Sequence, residues 1–242
     1  MIGLGRIAVV VFIAALVGAG CGLGGGGSGL NCGALTKGLR SYRYSSKVHL
    51  VAEGTTDGSI AAVDTTIRTQ GEVVTPDRVK ATTRYSEDVG VDPASIVIIG
   101  DKGWALLGNN WVPQSTGDSG KLEIPFQPAE LCAAISPDAD TEGMSGAAGR
   151  AGTIDTQRFH FDDVTSDFVS LLPSRVGSDD AQYVKKLTVD IWLTKDNWPA
   201  RLEVRGNGSY PDGRAISVEF ITQVTDPNDE EIRIEPPEKS GG

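Results

Sequence analysis

Lys186-Leu-Thr-Val-Asp-Ile-Trp-Leu193, Ala200-Arg-Leu-Glu-Val-Arg205 and Ile216-Ser-Val-Glu-Phe-Ile221 decide the fold. In the first, Leu187, Val189, Ile191 and Leu193 alternate with Lys186, Thr188, Asp190 and Trp192. In the second, Ala200, Leu202 and Val204 alternate with Arg201, Glu203 and Arg205; in the third, Ile216, Val218 and Phe220 alternate with Ser217, Glu219 and Ile221. A period of two puts every apolar side chain on one face of a strand. Lys195-Asp-Asn197 and Tyr210-Pro-Asp-Gly213 supply the turns. Three such strands in succession form an antiparallel meander, apolar on one side and charged on the other.

The same period runs back toward the N-terminus. Val48, Leu50 and Ala52 alternate from Tyr42 onward, and a second strand is expected over Thr65–Val74, ended by the turn Pro76-Asp77. Arg78–Tyr85 alternates Val79, Ala81, Thr83 and Tyr85 against charges, and Ser95–Ile99 is a short apolar strand. Trp104–Leu107 and Trp111–Pro113 flank Gly108-Asn-Asn110, a hairpin signal. Thr156–Asp162 is a brief strand with Phe159 and Phe161 inward.

Three helices are expected among these strands. Asn31 caps one bearing Cys32, Leu35 and Leu39; Pro128 opens one carrying Leu131, Cys132 and Ile135; Ser166 caps one with Phe168, Leu171 and Leu172. Asp138–Thr153, rich in Gly, Ala and Asp, reads as a loop. Sheet and helices together define an α+β domain.

The N-terminus carries a targeting signal. Arg6 precedes the uncharged apolar run Ile7–Val17, and the small residues Gly18-Ala-Gly20 lead into Cys21. A basic start, a short apolar region and a small-residue cut site describe a secretory signal. The run is too short to cross roughly 30 Å of hydrocarbon. The placement of Cys21 resembles the bacterial lipobox, in which that cysteine is acylated, although Gly18 stands where Leu is usual. The alternatives are plain secretion or an uncleaved anchor. Gly22–Gly29 is a tether whose eight residues reach roughly 14–17 Å. The organisation expected is therefore a signal at 1–20, a tether at 21–30, one domain at 31–237 and a tail at 238–242.

With Cys21 acylated, Cys32 and Cys132 remain to pair outside the cytosol. A bridge closing about 100 residues contributes roughly 4–5 kcal/mol in the chain-entropy account. The alternative is two separate buried thiols.

Composition removes several function classes. A formal charge of −10 opposes nucleic-acid binding, which needs clustered cations. The mature chain, losing Arg6, carries about −11 and does not adhere to anionic headgroups by charge, so the acyl chain does the holding. The two histidines, His49 and His160, fall on different strands with no metal-ligand spacing, and neither a Gly-x-Ser-x-Gly elbow nor a phosphate loop occurs. No enzyme and no cofactor are implied. His160 with Asp162 or Asp163 is the one candidate acid–base pair, against a surface role.

Ser41-Tyr-Arg-Tyr44, Val189–Asp196 and the directly following Trp198-Pro-Ala-Arg-Leu-Glu203, in the order signal, helix, strands, helices, meander, resemble the mycobacterial LppX/LprA/LprF/LprG lipoproteins. The resemblance covers roughly residues 30–237 and lies in pattern and order. It implies a LolA/LolB-like half-barrel, a strongly curved antiparallel sheet with helices in its concave face. It further implies a lipid or acylated glycolipid carried between sheet and helices, and attachment to the outer face of the cytoplasmic membrane. An envelope transporter is a partner it leaves open.

A lipid needs continuous cover, because each exposed CH₂ costs about 0.8 kcal/mol and a ~16-carbon chain on the order of 10 kcal/mol. The expected cavity lining is Val48, Leu50, Val79, Leu131, Ile135, Phe168, Leu171, Leu187, Val189, Ile191, Leu202, Val204, Val218 and Phe220. Val, Ala, Leu and Ile dominate the inward set, which suits a cavity and equally an ordinary filled core. Around it, Trp104 and Trp111 rim an opening or pack an edge, and Trp192 and Trp198 cover the outer face. Glu142–Gly152 is a lid or a plain connector, with Arg150 its cation, and the acidic tail Asp226–Glu238 is solvated. The rival readings are a closed-core interaction or stress-sensing lipoprotein and an envelope hydrolase.

Overall fold

The computed structural model of the chain describes residues 38–86, 92–115, 147–164 and 182–238. Cys21, Cys32, Cys132, Leu131, Ile135, Phe168 and Leu171 lie outside them, as do the signal, the tether and the expected helices beginning at Pro128 and Ser166. Of the helix placed at Asn31, only its last apolar residue, Leu39, is described, as a buried residue just before the first strand.

Among the described residues every element is a strand: β1 (Ser41–Ala52), β2 (Val63–Val74), β3 (Arg78–Tyr85), β4 (Ala94–Ile99), β5 (Lys102–Leu107), β6 (Asn110–Ser115), β7 (Ala147–Ala151), β8 (Ile154–Val164), β9 (Val184–Leu193), β10 (Pro199–Ser209) and β11 (Ala215–Thr225). They form one 11-stranded antiparallel sheet in the order β6-β5-β4-β3-β2-β1-β11-β10-β9-β8-β7. The sheet is open, with β6 and β7 at its edges. Each neighbour is a sequence neighbour except β1 beside β11, which closes the first run of strands onto the last. The helical part of the α+β expectation has no counterpart among the described residues.

The turns follow local chemistry. Gly108 at φ 60° and Gly213 at φ 91° occupy the left-handed region that non-glycine residues avoid. Gly213 closes its turn with an N–H bond to the Tyr210 carbonyl at 3.0 Å.

Two segments differ from expectation. Ala147–Ala151, read as loop, is the edge strand β7, paired with β8 from Ala147↔Arg158 to Ala151↔Ile154. Ala and Gly carry no strand signal of their own, yet their smallness is what the position requires. A Cβ on Gly149 would stand 3.3 Å from Trp192 Cδ1. A lid over residues 142–152 is thereby corrected for residues 147–151, and Arg150 is spent on Asp155 at 3.0 Å.

The acidic tail is the second correction. After β11, Asn228 N–H donates to the Ser41 carbonyl at 2.6 Å, its side-chain Oδ1 accepts from Arg40 N–H at 2.7 Å, and Ser41 Oγ donates to the Asp229 carbonyl at 2.8 Å. Further along, Arg78 Nη1 donates to the Ile234 carbonyl at 3.2 Å, and Ile232 and Ile234 are buried. Residues 226–238 are thus a strap fastened to the first strands, not a solvated tail. Ile-Arg-Ile at 232–234 is a period-two signal too short to stand out among six carboxylates.

Candidate functional site

Strand register sorts the side chains of the sheet into two faces of opposite character. On the inner face one row crosses seven strands: Phe161↔Val189↔Val204↔Phe220↔Val48↔Ile67↔Tyr85. A parallel row holds Leu187, Gly206, Val218 and Leu50, and another Phe159, Ile191 and Leu202. Val73, Val79 and Ile98 extend the surface across β2, β3 and β4. All of the expected lining residues that are described, Val48, Leu50, Val79, Leu187, Val189, Ile191, Leu202, Val204, Val218 and Phe220, are buried on this face in one apolar cluster. Val189 and Val204 are 0% exposed.

Trp198, expected outside, belongs to this inner cluster. It sits one residue before Pro199, past the end of β9, where strand alternation no longer governs direction. Trp192 keeps the outer face, with the guanidinium carbons of Arg158 and Arg201 at 5.4 and 5.3 Å from its ring centre.

Close approach shapes the wall at two glycines. A Cβ on Gly71 would lie 2.5 Å from the Tyr44 ring directly opposite on β1. A Cβ on Gly206 would lie 2.5 Å from Val184 Cγ1 and 2.7 Å from Leu187 Cδ2. Burial pushes the Tyr42 hydroxyl up to about 12 and raises Tyr44 further still, so both phenols stay protonated at any physiological pH.

The outer face is a ladder of charge. Asp190 accepts from Arg158 Nε at 2.8 Å and lies 2.7 Å from His160 Nδ1, while His160 Nε2 lies 3.2 Å from Asp162. Directly opposite Asp190 on β10 is Glu203, bound by Arg201 at 3.0 Å and by Arg205. Lys47 joins Glu219 at 3.2 Å and His49 lies 2.8 Å from Asp64. Asp190 and Glu203 are 3% and 6% exposed despite facing away from the apolar cluster. Burial works to raise the Asp190 carboxyl, and the bonds to Arg158 and His160 outweigh it, holding the group below its ordinary value. Of the candidate partners Asp162 and Asp163, Asp162 is within hydrogen-bond reach of His160, whose other ring nitrogen is held by Asp190.

Two grooves of about 440 Å³ each open on the outer face. One crosses β11 to β3 between Thr225, Arg43, Gln70, Glu72, Lys80 and Arg84. In the other, the strap residues Arg233, Glu235, Pro236 and Pro237 lie beside Val97, Lys80 and Trp111, which places Trp111 on the outer side. Neither groove is apolar enough to cover an acyl chain.

No known family pattern matches this chain, and no curated protein does. Solved structures do. The chain is similar to LprF. That structure, from Mycobacterium bovis, is 11% identical, with 85% of this chain and 94% of the other covered and a TM-score of 0.42. A putative outer membrane lipoprotein-sorting protein domain from Vibrio parahaemolyticus is 12% identical over 79% of this chain and 87% of its own, with a TM-score of 0.25. A LolA superfamily protein from Nitrosomonas europaea is 11% identical over 81% and 94%, with a TM-score of 0.28. LprF is one of the lipoproteins whose pattern the sequence resembles, and the LolA superfamily is the fold that resemblance implies.

Proposed function

We propose that the chain is an envelope lipoprotein that takes up a lipid or acylated glycolipid against the inner face of its sheet and hands it on without chemical change. One observation carries the reading: a row of apolar and aromatic side chains from Phe161 through Val189, Val204, Phe220, Val48 and Ile67 to Tyr85 crosses seven strands on one face of a sheet whose other face is charged. A sheet can present such a wall to an acyl chain as readily as to side chains, since apolar burial is non-directional. The apolar run Ile7–Val17 ahead of Cys21 supports attachment by an acyl anchor to the outer side of the cytoplasmic membrane. Cys32 and Cys132 are proposed as a disulfide, and Leu131, Ile135, Phe168 and Leu171 as the opposing wall of the cavity.

Complete burial of Val189 and Val204 has a consequence for loading: an acyl chain reaches them only by displacing what now covers them. The same burial favours a second reading, a closed-core lipoprotein that binds protein partners through its charged face. Native mass spectrometry of the protein extracted from its own membranes separates the two. A released lipid, beyond the anchor on Cys21, supports the carrier; protein that is empty in every preparation supports the closed core. Val189→Trp adds volume to the wall at a cost of about 1–3 kcal/mol, and is expected to lower lipid content while leaving a folded protein.

A further inference from the structure

The row that runs apolar from Phe159 through Ile191 to Leu202 turns polar beyond it. Thr222 on β11, Ser46 on β1, Thr69 on β2 and Thr83 on β3 stand opposite one another in register and form a hydroxyl band across the face. On one side of it lie Phe220, Val48 and Ile67; on the other lie Val224, Tyr44, Gly71 and Ala81. Three members of the band are satisfied by the protein. Thr222 Oγ1 donates to the Ser45 carbonyl at 3.2 Å, and Thr69 and Thr83 share a hydrogen bond at 3.0 Å. Ser46 is not: its Oγ is buried with no partner, and so is Tyr44 Oη, two residues away on the same face.

Ser46 and Tyr44 are 7% and 3% exposed, so water does not replace the missing bonds. A buried hydroxyl left unpaired forfeits its hydration with nothing in return, and native interiors rarely keep one. The Tyr44 ring lies over Gly71, so its hydroxyl projects across β2 where no Cβ intervenes. From Ser46 to Ala52 the wall runs on through Val48 and Leu50 for about 20 Å, at ~3.3 Å per residue. That exceeds the ~15 Å of one leaflet of a bilayer core.

We infer that Ser46 Oγ and Tyr44 Oη donate to the carbonyl oxygen of a bound acyl group, fixing where the polar linkage of the lipid sits and sending the hydrocarbon toward Leu50 and Ala52. The inference rests on the carrier reading and narrows it to ligands with a carbonyl at the head of the chain, either fatty esters or free fatty acids. A hydrocarbon joined by an ether has no acceptor of comparable strength at that point.

The test uses full-length protein delipidated in detergent and reloaded with dipalmitoyl phosphatidylglycerol or with its ether-linked dihexadecyl counterpart, bound fractions being read by native mass spectrometry. Palmitic acid against hexadecanol, with the same readout, distinguishes free acid from ester as the source of the carbonyl. The wild-type protein is expected to load the ester at least tenfold more readily than the ether, or the acid over the alcohol by the same factor. Ser46→Ala and Tyr44→Phe are expected to shrink that preference to about twofold while retaining the ether lipid at wild-type level. Both variants remove an unpaired buried hydroxyl, so a melting temperature equal to or above that of wild type is expected. Equal loading of ester and ether, and of acid and alcohol, by the wild type overturns the inference and leaves the carrier reading intact. Loading of none of the four lipids overturns the carrier reading itself. A lowered melting temperature in both variants shows the hydroxyls already partnered, and also overturns the inference.

Discussion

Val218 and Ser217 are neighbours in β11, and the sheet sends them into different worlds. Val218 faces Leu50 and Gly206 within the apolar cluster; Ser217 faces Val51 and Asn207 on the charged side. The same division holds at Val48 beside Lys47, Val189 beside Asp190 and Val204 beside Glu203. What it teaches is that the inner and outer faces do separate work. The inner face holds the fold and, in the proposed function, meets an acyl chain. The outer face pairs many of its charges within and across strands.

The sharpest break of that division is one charge placed on either face. Val218→Arg buries an unpaired cation and is expected to cost more than about 4 kcal/mol, leaving no folded protein in a urea titration. Ser217→Arg, one residue away, is expected to change stability by no more than about 0.5 kcal/mol. The strap offers a second contrast, on the outer side itself. Ile234→Ala is expected to cost about 2–4 kcal/mol because Ile234 is fully buried, whereas Glu235→Ala, exposed beside it, leaves the urea midpoint unchanged. Gly206→Ala tests how tightly the inner wall is packed. Its new methyl meets Val184 and Leu187, and a loss of about 1–3 kcal/mol is expected in thermal unfolding.

The smallest expected effect is also the most specific to the outer ladder. Asp190→Asn removes the carboxylate shared by Arg158 and His160 and is expected to cost about 1–2 kcal/mol at neutral pH. Because the folded-state value of Asp190 is depressed, its contribution is whole above the ordinary carboxylate value near 3.9 and fades as pH falls through the lower folded value. Urea titrations of wild type and variant between about pH 7 and pH 2 are therefore expected to converge at the acid end. A gap that stays constant contradicts the assigned role of Asp190.

Much of the fold was legible because antiparallel strands with one solvated face write themselves as alternation. The meander of β9, β10 and β11, the extent of Arg78–Tyr85 and the hairpin at Gly108 were all readable from period and turn chemistry. The parts that escaped are those where the physics lies elsewhere. Ala147–Ala151 becomes a strand because β8 offers it a partner and Trp192 tolerates only small residues above it. The strap is held by hydrogen bonds to the Arg40 and Ser41 backbone and to the Arg78 guanidinium, which no local pattern announces. Trp198 turns inward at a proline, outside any alternation.

The inward direction of the ten described residues, from Val48 to Phe220, was legible for the same reason as the strands. The hydroxyl band was not. Ser46 and Thr69 read as ordinary strand residues until register sets them opposite each other, and only the absence of a partner for Ser46 Oγ and Tyr44 Oη gives them meaning.

The most direct test of the division of labour is to ask the lipid which face it touches. A fatty acid bearing a photoactivatable diazirine, loaded into the full-length protein and irradiated, leaves adducts that fragmentation mass spectrometry assigns to single residues. Adducts on Val48, Leu50, Val189, Val204 and Phe220, with none on Lys47, Asp190, Glu203 or Arg205, are the result this structure predicts. Adducts spread over both sets, or confined to the charged one, would contradict it.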